Sequence, residues 1–248
     1  MQIVPPFGYR EVVPFQKTHR VRLPGIRETP EFIRRGNAMP ISHTEFLLVA
    51  RDYPIVFATN DQGKSFAAVA VLGMSTENLF FSEAGWAGQV YVPAYVRRYP
   101  FCMARVRRGK SAQPDHLICV EKAFLDDERG EALFDAKGAP SEKWALIERL
   151  LSEYEADLER TREMCAILAD YGVLEPFTMQ ATLSKEKGGG SLQLGGMHRV
   201  NEKSLENLNA AQLKNLMRKG LLARTYLHLA SLENFSRLLE RKARAAAA

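Results

Sequence analysis

Apolar residues change their period repeatedly along this chain. Up to residue 40 they come in short patches broken by proline and glycine, IVPPFGY, VVPF and VRLPGI, a pattern that predicts extended arms and turns. The stretch ISHTEFLLVARDYP predicts a short helix: Ser42 is placed to cap it, Glu45 sits at the capping-box position, and the helix must end before Pro54. IVFATN and FAAVAVLGM then read as a hairpin or two neighbouring strands around DQGK, with ENLFF, VYVPAYVRRYPFCMARV and HLICVEK continuing the strand content and LFDAKGAP ending it in a turn.

From residue 141 the period becomes helical. Ile147, Leu151, Tyr154, Leu158, Thr161, Cys165 and Leu168 follow one another at spacings of 4, 3, 4, 3, 4 and 3, one stripe along a helix over residues 141–170. Gly172 offers its C-terminal cap and Pro176 stands against continuation. Strand character returns in FTMQATL and LQLGGMHRV, which flank the flexible connector SKEKGGGS. Helix signals resume with Asn209 as N-cap, Gln212 three residues on and Gly220 as terminator, followed by a last helix expected to start at Ser231.

Strands first and helices later predict an α+β fold. The expectation is a mixed, mostly antiparallel sheet, made from the strands between Ile55 and Val120 plus those between Phe177 and Val200 and backed by the long helix, with a C-terminal helical segment. As domains, residues 1–40 read as an extended N-terminal arm, 41–200 as the α+β core including helix 141–170, and 201–248 as a basic helical segment.

Charge sharpens that last boundary. The chain carries a formal +5, yet residues 199–248 hold ten Lys and Arg against four Asp and Glu, a local +6, so the remainder sums to −1. The excess belongs to this segment and not to the whole surface; it favours an acidic partner, a phosphate backbone or an anionic membrane face, or else serves simple solubility. Cys102, Cys119 and Cys165 fit no metal spacing and stand among apolar residues, which predicts small buried hydrophobes in a reducing compartment. The N-terminus lacks a basic start followed by an apolar run, and no run approaches a membrane span. The protein is therefore expected in the cytoplasm, with surface or virion association open through assembly.

Motifs for chemistry are sparse. The run Gly188–Gly190 lies between two strands and lacks the GK[ST] and helix that a phosphate loop needs, so it reads as a hairpin loop. His43 and Glu45 form an H-x-E pair that, with a distant histidine, could hold non-haem iron, but Ser42 and Glu45 already serve as a capping box. No metal, cofactor or catalytic residue is expected. Residues 91–108, YVPAYVRRYPFCMARVRR, are the richest in recognition chemistry. On an unbroken strand Tyr91, Tyr95, Arg97, Tyr99, Phe101, Arg105 and Arg107 would share one side, a stacking platform for a partner or for nucleic acid. Pro93 and Pro100 break the run and reset that parity, and arginine over tyrosine is equally an internal packing device. Nucleic acid is the least expected partner.

Five ordered blocks, MPISHTEFLLVARDYPIVFA, VLGMSTENLFF, GWAGQVYVPAYVRRYPF, LFDAKGAPS and GGMHRVNEKSLENLN…LLARTYLHLASLENFSRLL, together resemble the SapC family of bacterial proteins over roughly residues 35–240. The resemblance implies association with a surface layer or with peptide transport, and an accessory role beside outer-membrane receptors and oxygenase-like enzymes. It brings no enzymatic residues. The blocks are rich in Tyr, Pro, Trp and Gly, which suits a binding surface. The expectation is a non-enzymatic binding or assembly protein whose partner is another protein or copies of itself, contacted through Trp86, Tyr91, Tyr95, Arg97, Arg98 and Tyr99. The alternatives are a structural subunit of a repeated assembly, such as a surface layer or virus particle, and a peptide-modifying enzyme.

Overall fold

A computed structural model describes residues 2–59, 63–107, 115–183 and 190–247. Asp61 and Gln62 of the expected DQGK turn, Arg108 and residues 184–189 of the glycine-rich connector lie outside the described residues. The fold is α+β, and the chain forms two compact units that interleave along the sequence: Met1–Ile33 with Ala94–Ala156, and Arg34–Pro93 with Asp157–Ala248.

In the first unit the N-terminal strands β1 (Gln2–Val4) and β2 (Val12–Pro14) flank the hairpin β9 (Phe101–Arg107) and β10 (Asp115–Glu121), giving an antiparallel sheet in the order β1-β9-β10-β2. A second ribbon pairs β3 (Arg20–Val21) with β11 (Glu131–Ala132). Its core gathers Val21, Phe101, Val120, Phe124, Leu133, Trp144 and Leu151. Trp144, on the first turn of α4 (Glu142–Asp170), stacks on Phe15 at 4.5 Å and meets the Phe101 ring edge-on at 5.7 Å. Each such fully buried side chain contributes on the order of 2–3 kcal/mol of hydrophobic stabilisation.

The second unit holds a five-stranded antiparallel sheet, ordered β12 (Leu174–Leu183), β13 (Gly190–Val200), β5 (Ile55–Ala58), β6 (Ala67–Val71) and β4 (Ala38–Pro40). A small hairpin pairs β7 (Phe81–Ser82) with β8 (Gly85–Trp86), turning at Gly85 with φ +96°. Helix α1 (Glu31–Arg35) begins in the first unit's sequence and ends in the second's, whose other helices are α2 (Phe46–Asp52), α5 (Glu202–Glu206), α6 (Ala210–Arg218), α7 (Leu221–Ser231), α8 (Asn234–Ala247) and the part of α4 beyond residue 156. The predicted stripe faces inward: Leu151, Tyr154, Thr161, Cys165 and Leu168 are buried, and Ile147 and Leu158 are half-buried.

Four expectations are corrected. The strands assigned to one mixed sheet divide between two antiparallel sheets, because the β9–β10 hairpin takes its neighbours from the N-terminal arm and β5–β6 takes β13 and β4. The stretch before Pro100 is not a strand; after Pro93 it forms the short helix α3 (Ala94–Arg97), since proline withholds a ladder donor while its fixed φ suits a helix entry. ENLFF is mostly a turn in which Asn78 Oδ1 accepts the Phe80 N–H at 2.9 Å, the local bond that asparagine offers against strand pairing. Ser231 closes α7 rather than opening α8, its hydroxyl donating to His228 O at 2.6 Å and accepting the Ile55 N–H at 2.9 Å.

Candidate functional site

The six expected contact residues fall in both units. Trp86 and Tyr91 belong to the second, where a chain of hydrogen bonds joins them. The predicted capping box is its anchor: Ser42 donates from both its N–H and its hydroxyl to Glu45 Oε2, each at 2.8 Å. The start of this helical segment is further tied to α4, as the His43 N–H donates to Thr161 Oγ1 at 2.8 Å and Thr44 Oγ1 donates to Asp157. Orphan N–H groups at the helix entry are thereby satisfied by side chains instead of water. Glu45 Oε1 accepts the Tyr91 hydroxyl at 3.1 Å. The Tyr91 N–H donates to Asp52 Oδ2 at 2.8 Å, and the Tyr91 carbonyl accepts the Tyr53 hydroxyl at 2.6 Å. Finally the Trp86 indole N–H donates to Tyr53 Oη at 3.0 Å.

Tyr53 is the hub. It is fully buried, with Phe80 edge-on at 4.5 Å. Burial is the main cause that raises its hydroxyl pKa far above the ordinary tyrosine value, so it stays a neutral donor and acceptor. Trp86 and Tyr91 are held at half-burial by this frame. Two half-exposed aromatic side chains on a fixed hydrogen-bonded scaffold can offer rigid apolar area at little cost in side-chain entropy. Sequence reasoning missed Tyr53, Asp52 and Phe80; nothing in RDYP or NLFF separates them from ordinary core residues.

The other four lie in the first unit and divide sharply. Arg97 is exposed and Tyr99 half-buried, whereas Tyr95 and Arg98 are 4% and 3% exposed. The Arg98 guanidinium lies 4.1 Å from the Tyr95 ring centre, 4.9 Å from Tyr154 and 5.7 Å from Tyr9, with Glu155 at 3.8 Å. Tyr95 and Tyr9 direct their hydroxyls to the carbonyls of Phe7 and Phe101, at 2.6 and 2.7 Å. Burial raises the Tyr95 hydroxyl to about 12. This is arginine as internal packing, a desolvated cation–π cage of the kind worth about 2 kcal/mol or more, and it takes Tyr95 and Arg98 out of the surface available to a partner. The shared face expected from strand parity does not form, because residues 94–97 are helical.

The histidine–carboxylate pair is likewise drawn into the scaffold, since both Glu45 oxygens accept protein donors. Among the described residues no group of three His, Cys, Asp or Glu side chains is arranged to hold a metal ion. The three cysteines are buried, and burial raises their thiols to about 12, 11 and 12 for Cys102, Cys119 and Cys165. They stay protonated near neutrality and are poor nucleophiles. Among the described residues no helix is long and apolar enough to cross a membrane.

No curated protein and no solved structure matches the chain. The SapC family model matches residues 16–238 of the 248 and so spans parts of both units, including the whole Trp86–Tyr53–Tyr91–Glu45 network. The chain belongs to the SapC family.

Proposed function

We propose that this protein is a non-enzymatic binding or assembly protein, accessory to a surface- or transport-related process, and that the half-buried Trp86–Tyr91 face is its contact surface for another protein. The observation that carries this reading is the chain of bonds from Trp86 through Tyr53 and Tyr91 to Glu45. Its hydroxyls and its buried carboxylate are engaged in holding the frame, and what the frame presents is aromatic area. Interfaces concentrate their binding energy in such rigid Trp and Tyr anchors. Arg97, exposed on the other unit, is a second contact candidate and is tested separately.

Trp86→Ala is expected to weaken capture of the native partner by a factor of ten or more while leaving the urea midpoint within reach of the parent protein. Arg97→Ala is expected to lower capture less and mainly at low salt, as a rim charge does. Undiminished capture by a folded Trp86→Ala protein would end the proposal.

A structural subunit of a repeated assembly is the second reading. It is favoured by large apolar side chains left outside on helices: Leu146, Met217, Leu47 and Tyr226 are 69%, 66%, 65% and 56% exposed. Light scattering across a concentration series separates the two, since a growing assembly supports the subunit reading and a concentration-independent monomer removes it.

A further inference from the structure

The basic charge of the C-terminal segment is not spread evenly. Arg237, Arg241 and Arg244 sit at spacings of four and three on α8, one face of the helix. With Leu79 and Glu240 they line a depression of about 450 Å³ in the second unit. Three guanidiniums against one carboxylate leave two positive charges in it. Like charges one turn apart repel, so the arrangement stabilises the fold only weakly unless an anion sits among them.

Two of the three arginines, Arg237 and Arg241, are held in place by the protein. The Arg237 Nη1 group donates to Arg51 O at 3.3 Å and to Asn234 Oδ1 at 3.1 Å, which leaves its Nε–H and Nη2 donors without a protein acceptor among the described residues. The Arg241 guanidinium lies 4.3 Å from the Phe80 ring centre, and among the described residues it has neither a hydrogen-bond acceptor nor an ion-pair partner in the protein. Stacking of this kind fixes the plane of the fork and keeps its edge donors available. Arg244 is the one countered charge, 3.8 Å from Glu240. Opposite the helix, Lys242 pairs with Glu77 at 2.6 Å, which pins α8 to the turn carrying Leu79. The depression therefore combines planar donors from α8 with the apolar Leu79 in its lining.

We propose that this depression binds a phosphate monoester, with Arg237 and Arg241 forking the phosphate oxygens, Arg244 closing from the next turn and Leu79 lying against the organic part. A phosphate monoester carries about −1.5 to −2 charge at pH 7 and three acceptor oxygens, which matches the two uncompensated charges and the bidentate geometry that arginine favours. The volume lies within the roughly 300–1,000 Å³ of small-ligand sites, so there is room for more than the phosphate itself. The site goes beyond the aromatic contact surface and does not depend on it. The same chemistry is presented by a soluble phosphomonoester and by the headgroup of phosphatidic acid.

The test is titration calorimetry of the full chain with O-phosphoethanolamine at low ionic strength, alongside sedimentation with phosphatidylcholine vesicles with and without phosphatidic acid. Saturable binding of either probe, weakened at least tenfold in Arg241→Gln and in Arg244→Gln but unchanged in Arg218→Gln on α6, is the expected result. Preference for the soluble probe identifies a free ligand, and preference for the phosphatidic acid vesicles identifies a headgroup. Arg244 is exposed and lacks a hydrogen bond to the scaffold, so its variant reports on binding even if loss of Arg241 disturbs the packing on Phe80. Absence of saturable binding to both probes, or equal weakening by Arg218→Gln, would overturn the site.

Discussion

His228 shows what a single buried polar residue does in this protein. Its ring is fully buried, Nε2 accepting the Val200 N–H at 3.1 Å, which leaves Nδ1 protonated to donate to Ile55 O at 2.8 Å. A proton added at Nε2 would face the Val200 N–H, and burial, the main cause, lowers the ring pKa to about 4. The unfolded value is about 6.5. A folded-state pKa below the unfolded one means this contribution is complete above about pH 6.5 and is lost as pH falls toward 4. The expected loss is about 2–3 kcal/mol at pH 4.5. His228→Gln keeps one donor and one acceptor, so urea denaturation at pH 7 and pH 4.5 is expected to show a smaller pH dependence for the variant than for the parent. Equal dependence would contradict the assignment. The buried thiols give a second residue-scale outcome: none of Cys102, Cys119 and Cys165 should react with Ellman's reagent in the native protein at pH 8, and all three should react in guanidinium chloride. Burial of these cysteines was legible from their apolar neighbours. That of His228 was not, because a lone histidine at a helical spacing gives no sign of which backbone groups it will meet.

Among elements, α7 and α8 act as a staple. His228, Ser231 and Asn234 recur every third residue across the break between the helices, and each reaches the segment around β5. Asn234 Nδ2 donates to Ala50 O at 2.8 Å and Tyr53 O at 3.2 Å, capping the carbonyl end of α2. Asn234→Ala would leave buried carbonyls without partners, so it is expected to lower stability by about 1–3 kcal/mol, read as a shift in urea midpoint at constant slope. Because Tyr53 follows directly on α2, the same variant is expected to broaden the Trp86 environment in fluorescence. Long, strictly periodic elements were readable: the α4 stripe, the β5–β6 hairpin and the Asn209–Gln212 capping box at α6, where Gln212 N–H donates to Asn209 Oδ1 at 2.9 Å, all stand as the residues imply. Short elements were not. Residues 94–97 carry strand-forming Tyr and Val, and it is the prolines on either side that decide for a helical turn.

For the whole molecule, composition along the sequence could not reveal that the compact units interleave, since interleaving depends on which hairpin each strand joins. This also explains the fate of the six contact residues. Proximity in sequence suggested one surface, but Trp86 and Tyr91 build one scaffold, while on the other unit Arg97 stays outside, Tyr99 is half-buried, and Tyr95 and Arg98 pack within. The basic C-terminal segment, readable only as a net charge, resolves into the arginine face of α8. Trp86 is the residue on which the proposed contact surface chiefly depends. The most direct measurement places a photo-crosslinking amino acid at position 86 in the native host, with position 226, an exposed tyrosine outside the aromatic network, as control. A discrete crosslinked protein obtained from position 86 and not from position 226 is the predicted result. Crosslinks at position 86 no different from those at position 226 would contradict it.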